Sequence, residues 1–309
     1  MAVTLPSRID AEAVVPDELA GARFDQAAAR MFSSYSRERL KQWIRAEQLL
    51  LNGHAGESDA RVRGGDVLRI RAVPVTREDW QSPQDVPFVV AHIDERVIVV
   101  DKPVGLVMHP GAGTRDGTLV NGLLFRYPEL NALPRAGIVH RLDKETSGLL
   151  MVGRTLDAHT WFVRALAARV VERRYLVIVR GEVLRPFSVD APIGRHPTLR
   201  TRMAVRTEGG RAARTDFVPL HRVAGATLLE ARLHSGRTHQ IRVHLGHARY
   251  PLLGDTVYGI QHPGITRQAL HAYRLAFPLV PNGQLLEVRS KPPADFLALV
   301  ESLGIVLDV

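Results

Sequence analysis

The chain has no cysteine among its 309 residues. A disulfide framework, a Cys-ligated zinc or iron–sulfur centre and a thiolate nucleophile are therefore excluded. It also lacks any apolar run near the roughly 18 residues that a membrane span needs. The opening MAVTLPSRIDAEAVVPDE has neither the basic start nor the apolar stretch of a signal peptide. A soluble cytoplasmic protein is expected. No internal repeat or low-complexity tract interrupts the chain. The Gly-rich stretch KPVGLVMHPGAGTRDGT at 102–118 lacks the GK[ST] ending of a P-loop and the strand-GxGxxG-helix setting of a dinucleotide site. Ser147 and Ser235 do not sit in GxSxG. His239, His244 and His247 lack the HExxH spacing, and no carboxylate follows them before Asp255, so no metal is expected.

What is present is positive charge. Lys and Arg number 41 against 32 Asp and Glu, a net charge of +9, on an ordinary globular background of 45% apolar and 24% charged residues. Such a surface collects polyanions through phosphate contacts, which makes nucleic acid the leading partner. The basic character is dense over residues 21–71, with ten Lys or Arg against six acids. There Ser36 is positioned to cap a helix that buries Leu40, Trp43 and Ile44, while Arg37, Lys41 and Arg45 recur every fourth residue on another face. That stripe reads either as a solvated helix face or as an RNA contact. Leu49 to Leu51 run into the turn pair Asn52 and Gly53, and VLRIRAV alternates as a strand, completing a small αβ module. Residues 72–87, with Pro74, Pro83 and Pro87 among polar neighbours, read as a linker. Residues 1–20 precede the module as an N-terminal segment, and residues 88–309 follow the linker as the main domain.

In the main domain short β-rich runs recur at 97–100, 148–152, 175–179, 227–233 and 269–277. A helix over 157–170 is expected to gather Trp161, Ala165 and Ala168 on one side. This pattern predicts an α+β fold with a mixed sheet and a cleft on its loops. Three segments could carry chemistry. GIVHRLDKETSGLLMVG at 137–153 crowds His140, Arg141, Asp143, Lys144 and Glu145 before a strand. Asp143 there is either a surface ion pair or a carboxylate kept ionised for use as nucleophile or base. From Ala231 to Arg249 the chain holds four Arg and four His with no acid, as an anionic ligand would require; a short helix capped by Thr238 is expected within it, although HQIRVHL also alternates with period two as a strand would. Residues 191–207 place Arg195, Arg200, Arg202 and Arg206 at mostly even spacing, as on one face of an extended ribbon or in a solubilising loop.

At these positions the sequence resembles the RluA-type pseudouridine synthases. HPGAG (109–113), AGIVHRLDKETSGL (136–149), RRYLVIVRG (173–181), RHPTLRTRMAV (195–205), SGRTHQIRVHLGH (235–247), YPLLGDTVYG (250–259) and RQALHA (267–272) follow the family's order. Residues 21–71 resemble the S4 RNA-binding module that precedes the catalytic domain in many members. The resemblance implies an α+β catalytic domain around a long mixed, largely antiparallel sheet. It implies Asp143 as the essential carboxylate, Tyr175 as the tyrosine that meets the uracil, and Arg242 as the basic partner of the aspartate. Arg141 matches the arginine that replaces the flipped base, with His140 beside it on the substrate side. RNA contacts are expected from Arg37, Lys41, Arg45, Arg195, Arg200, Arg202 and Arg237. Because uridine and pseudouridine are isomers, no cofactor is implied. The implied partner is large-subunit ribosomal RNA, with helix 69 as the target, acted on by a monomer. The alternatives are a transfer-RNA enzyme of the same family and a non-catalytic S4-type RNA-binding or ribosome-assembly protein. After Gly259 the chain reaches RQALHA through only IQHPGIT, shorter than the family often carries.

Overall fold

A computed structural model describes residues 9–32, 35, 37–72, 82–111, 114–199, 201–279 and 283–307. Its contacts divide the chain into Met1–Glu78 and Asp79–Val309. The expected cap at Ser36 and the arginine at position 200 lie outside the described residues.

The first unit contains β1 (Ile9–Val14), α1 (Phe24–Met31), α2 (Arg37–Arg45), β2 (Leu49–Leu51) and β3 (Val67–Ala72). Its sheet is antiparallel in the order β1-β3-β2. The pairing of β1 with β3 brings residues 9–14, left in the N-terminal segment by the sequence reading, into this sheet. Leu40, Trp43 and Ile44 of α2 pack on Phe24, Ala27, Leu68 and Ile70, as their three-to-four spacing requires. The cationic stripe on α2 is not uniform. Arg37 and Lys41 reach the buried Asp25 carboxylate at 2.8 and 3.4 Å, and Arg23 joins them at 3.3 Å, whereas Arg45 is exposed. Burial alone would raise the Asp25 pKa, but the Arg37 and Lys41 hydrogen bonds and the charges of Arg37 and Arg23 hold it below the usual carboxylate range.

The second unit contains β4 (Val89–Ile93), β5 (Val97–Lys102), α3 (Leu119–Arg126), β6 (Ser147–Gly153), α4 (Leu156–Ala167), β7 (Glu172–Arg180), β8 (Phe187–Asp190), β9 (Ile193–Arg195), β10 (Met203–Val205), β11 (Arg214–Val223), β12 (Ala226–Leu233), α5 (Gln240–His247), β13 (Leu270–Pro278), β14 (Leu285–Arg289) and α6 (Ala294–Ser302). The main sheet runs β4-β5-β6-β13-β7-β12-β11-β8, with β14 on β13, and every pairing is antiparallel except β6 with β13. This is the mixed, largely antiparallel α+β sheet that the sequence pattern and the resemblance lead to. At the parallel pairing Gly148 adopts φ +109°, and a Cβ there would lie 2.2 Å from the Ala272 carbonyl oxygen. Only glycine fits that approach.

Strand period two sorts the central residues between two layers. Tyr175, Val177 and Val179 of β7 face the layer that holds Leu119 and Leu123 of α3 and Ile241 and Leu245 of α5. Leu176 and Ile178 face Phe296 and Leu299 of α6 instead. Because both faces are covered, these strands read as unbroken apolar runs.

Several local expectations change. In α4 the buried positions are Ala158, Phe162 and Ala165, with Trp161 half-buried and Ala168 exposed, so the buried stripe keeps Ala165 but runs through Phe162 and Ala158 rather than through Ala168. Residues 191–207 are not one extended ribbon. They form the β9–β10 hairpin, in which Arg195 pairs across to Met203 and Arg202 lies in the connection. Residues 82–88 belong to the second unit's packing: Gly117 N donates to Gln84 Oε1 at 2.7 Å and Asn121 Nδ2 to the Ser82 carbonyl at 2.9 Å. Among the described residues no helix is long and apolar enough to cross a membrane.

Candidate active site

Asp143 stands four residues before β6, in a loop fixed from below by Lys102 at the end of β5. The Lys102 side chain is fully buried, and its Nζ donates to the carbonyls of Pro103, Leu106 and Lys144 at 2.8, 3.0 and 3.0 Å. Burial pushes its pKa down to about 8, against the opposing pull of Glu145 and Asp143. The three carbonyls use all three N–H bonds, which only the ammonium form supplies. Through the Lys144 carbonyl this side chain ties the residue beside Asp143 to the sheet.

Arg242 on α5 meets Asp143 from the other side. Its Nη1 donates to Asp143 Oδ2 at 3.1 Å, while Nε and Nη2 donate to both oxygens of Asp255 at 2.6 and 2.9 Å. Asp255 is fully buried and also accepts the Val257 and Tyr258 amides at 2.9 and 3.0 Å. One guanidinium therefore joins two carboxylates, and the buried one fixes its orientation. Burial would make Arg242 less basic, but Asp255 and Asp143 more than offset this and raise its pKa. Asp255 likewise has burial opposing ionisation, yet Arg242 and the two amides hold it below the usual carboxylate range.

The turn before α5 completes this wall. The helix N-cap is His239, one residue beyond the expected Thr238, in the left-handed region at φ 56°. Gln240 pins the turn: its Oε1 accepts Arg237 N and Ser235 Oγ, each at 2.9 Å, and its Nε2 donates to the Arg214 carbonyl and Thr215 Oγ1, each at 3.0 Å. His239 Nδ1 lies 2.8 Å from Tyr258 Oη, and its Nε2 lies 3.9 Å from Asp143 Oδ1. The same Tyr258 oxygen accepts the Met203 amide at 2.8 Å, and the Arg242 guanidinium lies 4.9 Å over the Tyr258 ring. His244 is fully buried between Thr215 Oγ1 at 2.9 Å and the Ala191 carbonyl at 3.0 Å.

Tyr175 is 4% exposed. Burial, with Asp143 adding to it and Arg173 opposing it, pushes the phenol up to about 12. It is a neutral phenol at physiological pH. His140 points away from an exchange role: its Nε2 accepts the Met151 amide at 3.0 Å, and burial with the nearby Arg173 charge takes its pKa down to about 3. Arg141 is exposed. Arg195 and Arg202 are exposed on the hairpin, and half-buried Arg237 donates from Nε to the Ala212 carbonyl at 3.1 Å. The structure thus brings Asp143 and Arg242 into direct contact, with Tyr175 on the same layer of the sheet. Arg141 stays exposed in the Asp143 loop, while Arg195 and Arg202 lie in the hairpin and Arg237 in the turn before α5.

Sequence reasoning assigned no role to Lys102, His239, Asp255 or Tyr258. Asp255 had a legible signal, being the first acid after the acid-free stretch 231–249. Lys102 had another, as a lysine closing a strand just after the apolar run VIVV.

The family profile of RNA pseudouridylate synthase matches residues 96–247, which hold Asp143, Tyr175 and Arg242. The chain is 45% identical over 306 residues to ribosomal large subunit pseudouridine synthase D of Xanthomonas campestris pv. campestris, covering 94% of this chain and 92% of that protein. It is 43% identical over 301 residues to the protein of the same name from Nitrosomonas europaea, covering 94% and 87%. Among solved structures it resembles human RNA pseudouridylate synthase domain containing 1, with TM-score 0.54 and 27% identity over 68% of this chain and 85% of that one.

Proposed function

We propose, since the chain belongs to the RNA pseudouridylate synthase family and is an isomerase of that kind, that it converts uridine to pseudouridine in large-subunit ribosomal RNA through the carboxylate of Asp143. The observation that carries this reading is the contact of Asp143 Oδ2 with Arg242 at 3.1 Å, in a guanidinium already oriented by buried Asp255. A carboxylate whose one oxygen is held by a preoriented cation keeps the other for chemistry.

The N1–C1′ bond must break, the uracil must turn, and C5 must bond to C1′ and lose its proton. Asp143 serves either by attacking C1′ or by taking the 2′ proton on the way to a glycal. Tyr175 offers its ring face to the uracil. Its hydroxyl can take the C5 proton only after giving up its own, because the phenol is pushed up to about 12. Exposed Arg141, two residues before Asp143, supplies a planar cation to fill the gap left in the RNA stack by the flipped nucleotide. His140 supports this loop from within rather than touching the substrate, since its ring nitrogen is occupied by the Met151 amide.

Phosphate contacts fall to Arg195, Arg202 and Arg237 in the main unit and to Arg45 in the first, which we assign as the S4 module. In that module Arg37 and Lys41 divide their charge between RNA and Asp25. The names of the two bacterial relatives support ribosomal RNA over transfer RNA, and helix 69 is the proposed target. Such a substrate places the enzyme in the cytoplasm, and the reaction needs no cofactor. The experiment is to map pseudouridines in total RNA from cells with and without this gene. Loss confined to helix 69 is expected; loss confined to transfer RNA, or no loss, would refute the assignment.

A further inference from the structure

Two adjacent arginines on β7 have opposite surroundings. Arg174 meets Glu172 at 2.9 Å and Glu230 at 3.4 Å. Arg173 is 6% exposed, its Nε is buried without a hydrogen-bond partner, and no acid pairs with it among the described residues. Among the described residues the other two buried arginines, Arg242 and Arg267, have Asp255 and Asp295 at 2.6 Å each. A buried guanidinium without an anion is costly, and folds rarely keep one unless something else supplies the charge.

Its position says what that anion is. Arg173 and Tyr175 are two residues apart on one strand, so both side chains stand on the active-site layer. Arg173 faces Tyr175, His140 and the turn at Gly236, where a Cβ would come 2.9 Å from its Nη1. His140 is neutral and Tyr175 is a neutral phenol, so neither compensates the charge. We propose that Arg173 is a further catalytic residue whose guanidinium is the counter-ion of the uracil anion released against Tyr175.

This rests on the pseudouridine synthase reading. When the N1–C1′ bond breaks, its electron pair leaves with N1 and spreads onto O2 and O4. Arg173 donates N–H bonds to one of those oxygens while the ring turns. When C5 has bonded to C1′, the C5 proton leaves to a base, N1 takes up a proton, and the ring is neutral again. The guanidinium pairs most strongly with a charge that exists only after bond breaking, so it lowers the barrier rather than tightening RNA binding.

The full-length Arg173→Met and Arg173→Lys variants test this by urea denaturation and by steady-state kinetics on a large-subunit rRNA fragment containing helix 69. Removing an uncompensated buried charge should leave Arg173→Met at least as resistant to urea as the parent. Its kcat should fall about 10²- to 10³-fold, as when one oxyanion donor is lost, with KM for RNA unchanged, and Arg173→Lys should recover part of kcat. A destabilised or unfolded Arg173→Met would overturn the proposal by showing that the fold uses the charge. A raised KM with unchanged kcat and a flatter salt dependence would overturn it in favour of a phosphate contact. If Asp143→Asn kept activity, the pseudouridine synthase mechanism would fail while the urea result still stood.

Discussion

Replacing Arg242 by methionine should damage the protein in two separable ways. The guanidinium satisfies both oxygens of Asp255, which is fully buried, and one oxygen of Asp143, which is 15% exposed. Without it, Asp255 keeps the Val257 and Tyr258 amides but has no counter-charge. Breaking a buried pair from one side typically costs about 3–5 kcal/mol. Arg242→Met should therefore unfold at clearly lower urea and have little activity. Adding Asp255→Asn removes the orphaned charge and keeps the volume, so the double variant should regain most of the lost stability. It should not regain activity, because Asp143 still lacks its partner. Urea denaturation followed by tryptophan fluorescence, with pseudouridine formation on the same samples, reads both effects. Recovery of activity alongside stability would refute the pairing role of Arg242, and failure of Asp255→Asn to restore stability would refute the buried-charge argument.

Acid should weaken the fold before the carboxylates titrate. His140 and His109 are held neutral, with pKa values pushed down to about 3 and about 4 from the ordinary 6.5. Between those values and 6.5 the unfolded chain binds protons that the folded one does not, so stability falls as pH drops from 6.5 towards 4, by at most about 1.4 kcal/mol per pH unit for each histidine. Urea midpoints at pH 7 and pH 5 check this, and a pH-independent midpoint would contradict it. Among the basic residues of α2, Arg45→Gln should leave stability unchanged and reduce the log–log salt slope of rRNA binding by about 0.7–0.9. Arg37→Gln should also destabilise the first unit, since it releases buried Asp25, and equal stability of the two variants would contradict that division.

The central strands were legible because their apolar runs are long and bounded, and β5, β6, β7, β12 and β13 fall on them. β11 was not singled out: Arg214, Asp216 and Arg222 interrupt its apolar pattern, and Pro219 marks a register shift in its pairing with β12. The turn before α5 was misread by one residue because a left-handed histidine at the cap leaves no side-chain signature of the Ser/Thr kind. Asp143, Tyr175 and Arg242 stood out through motif resemblance, whereas spacing alone left Asp143 as either an ion pair or a nucleophile. The supporting residues were hidden for a physical reason. Lys102 acts on carbonyls up to 42 positions away, and Asp255 acts on an arginine 13 positions before it in sequence. The stripe on α2 looked uniform for the same reason, since the acid that divides it, Asp25, lies 12 positions from Arg37.

The most direct test is Asp143→Asn, assayed for pseudouridine formation on unmodified large-subunit ribosomal RNA and, in parallel, for RNA affinity and urea resistance. The substitution removes the ionisable oxygen and little else. The proposed mechanism requires turnover to fall by roughly 10⁴-fold or more, with affinity and stability close to those of the parent. Turnover within tenfold of the parent would contradict it.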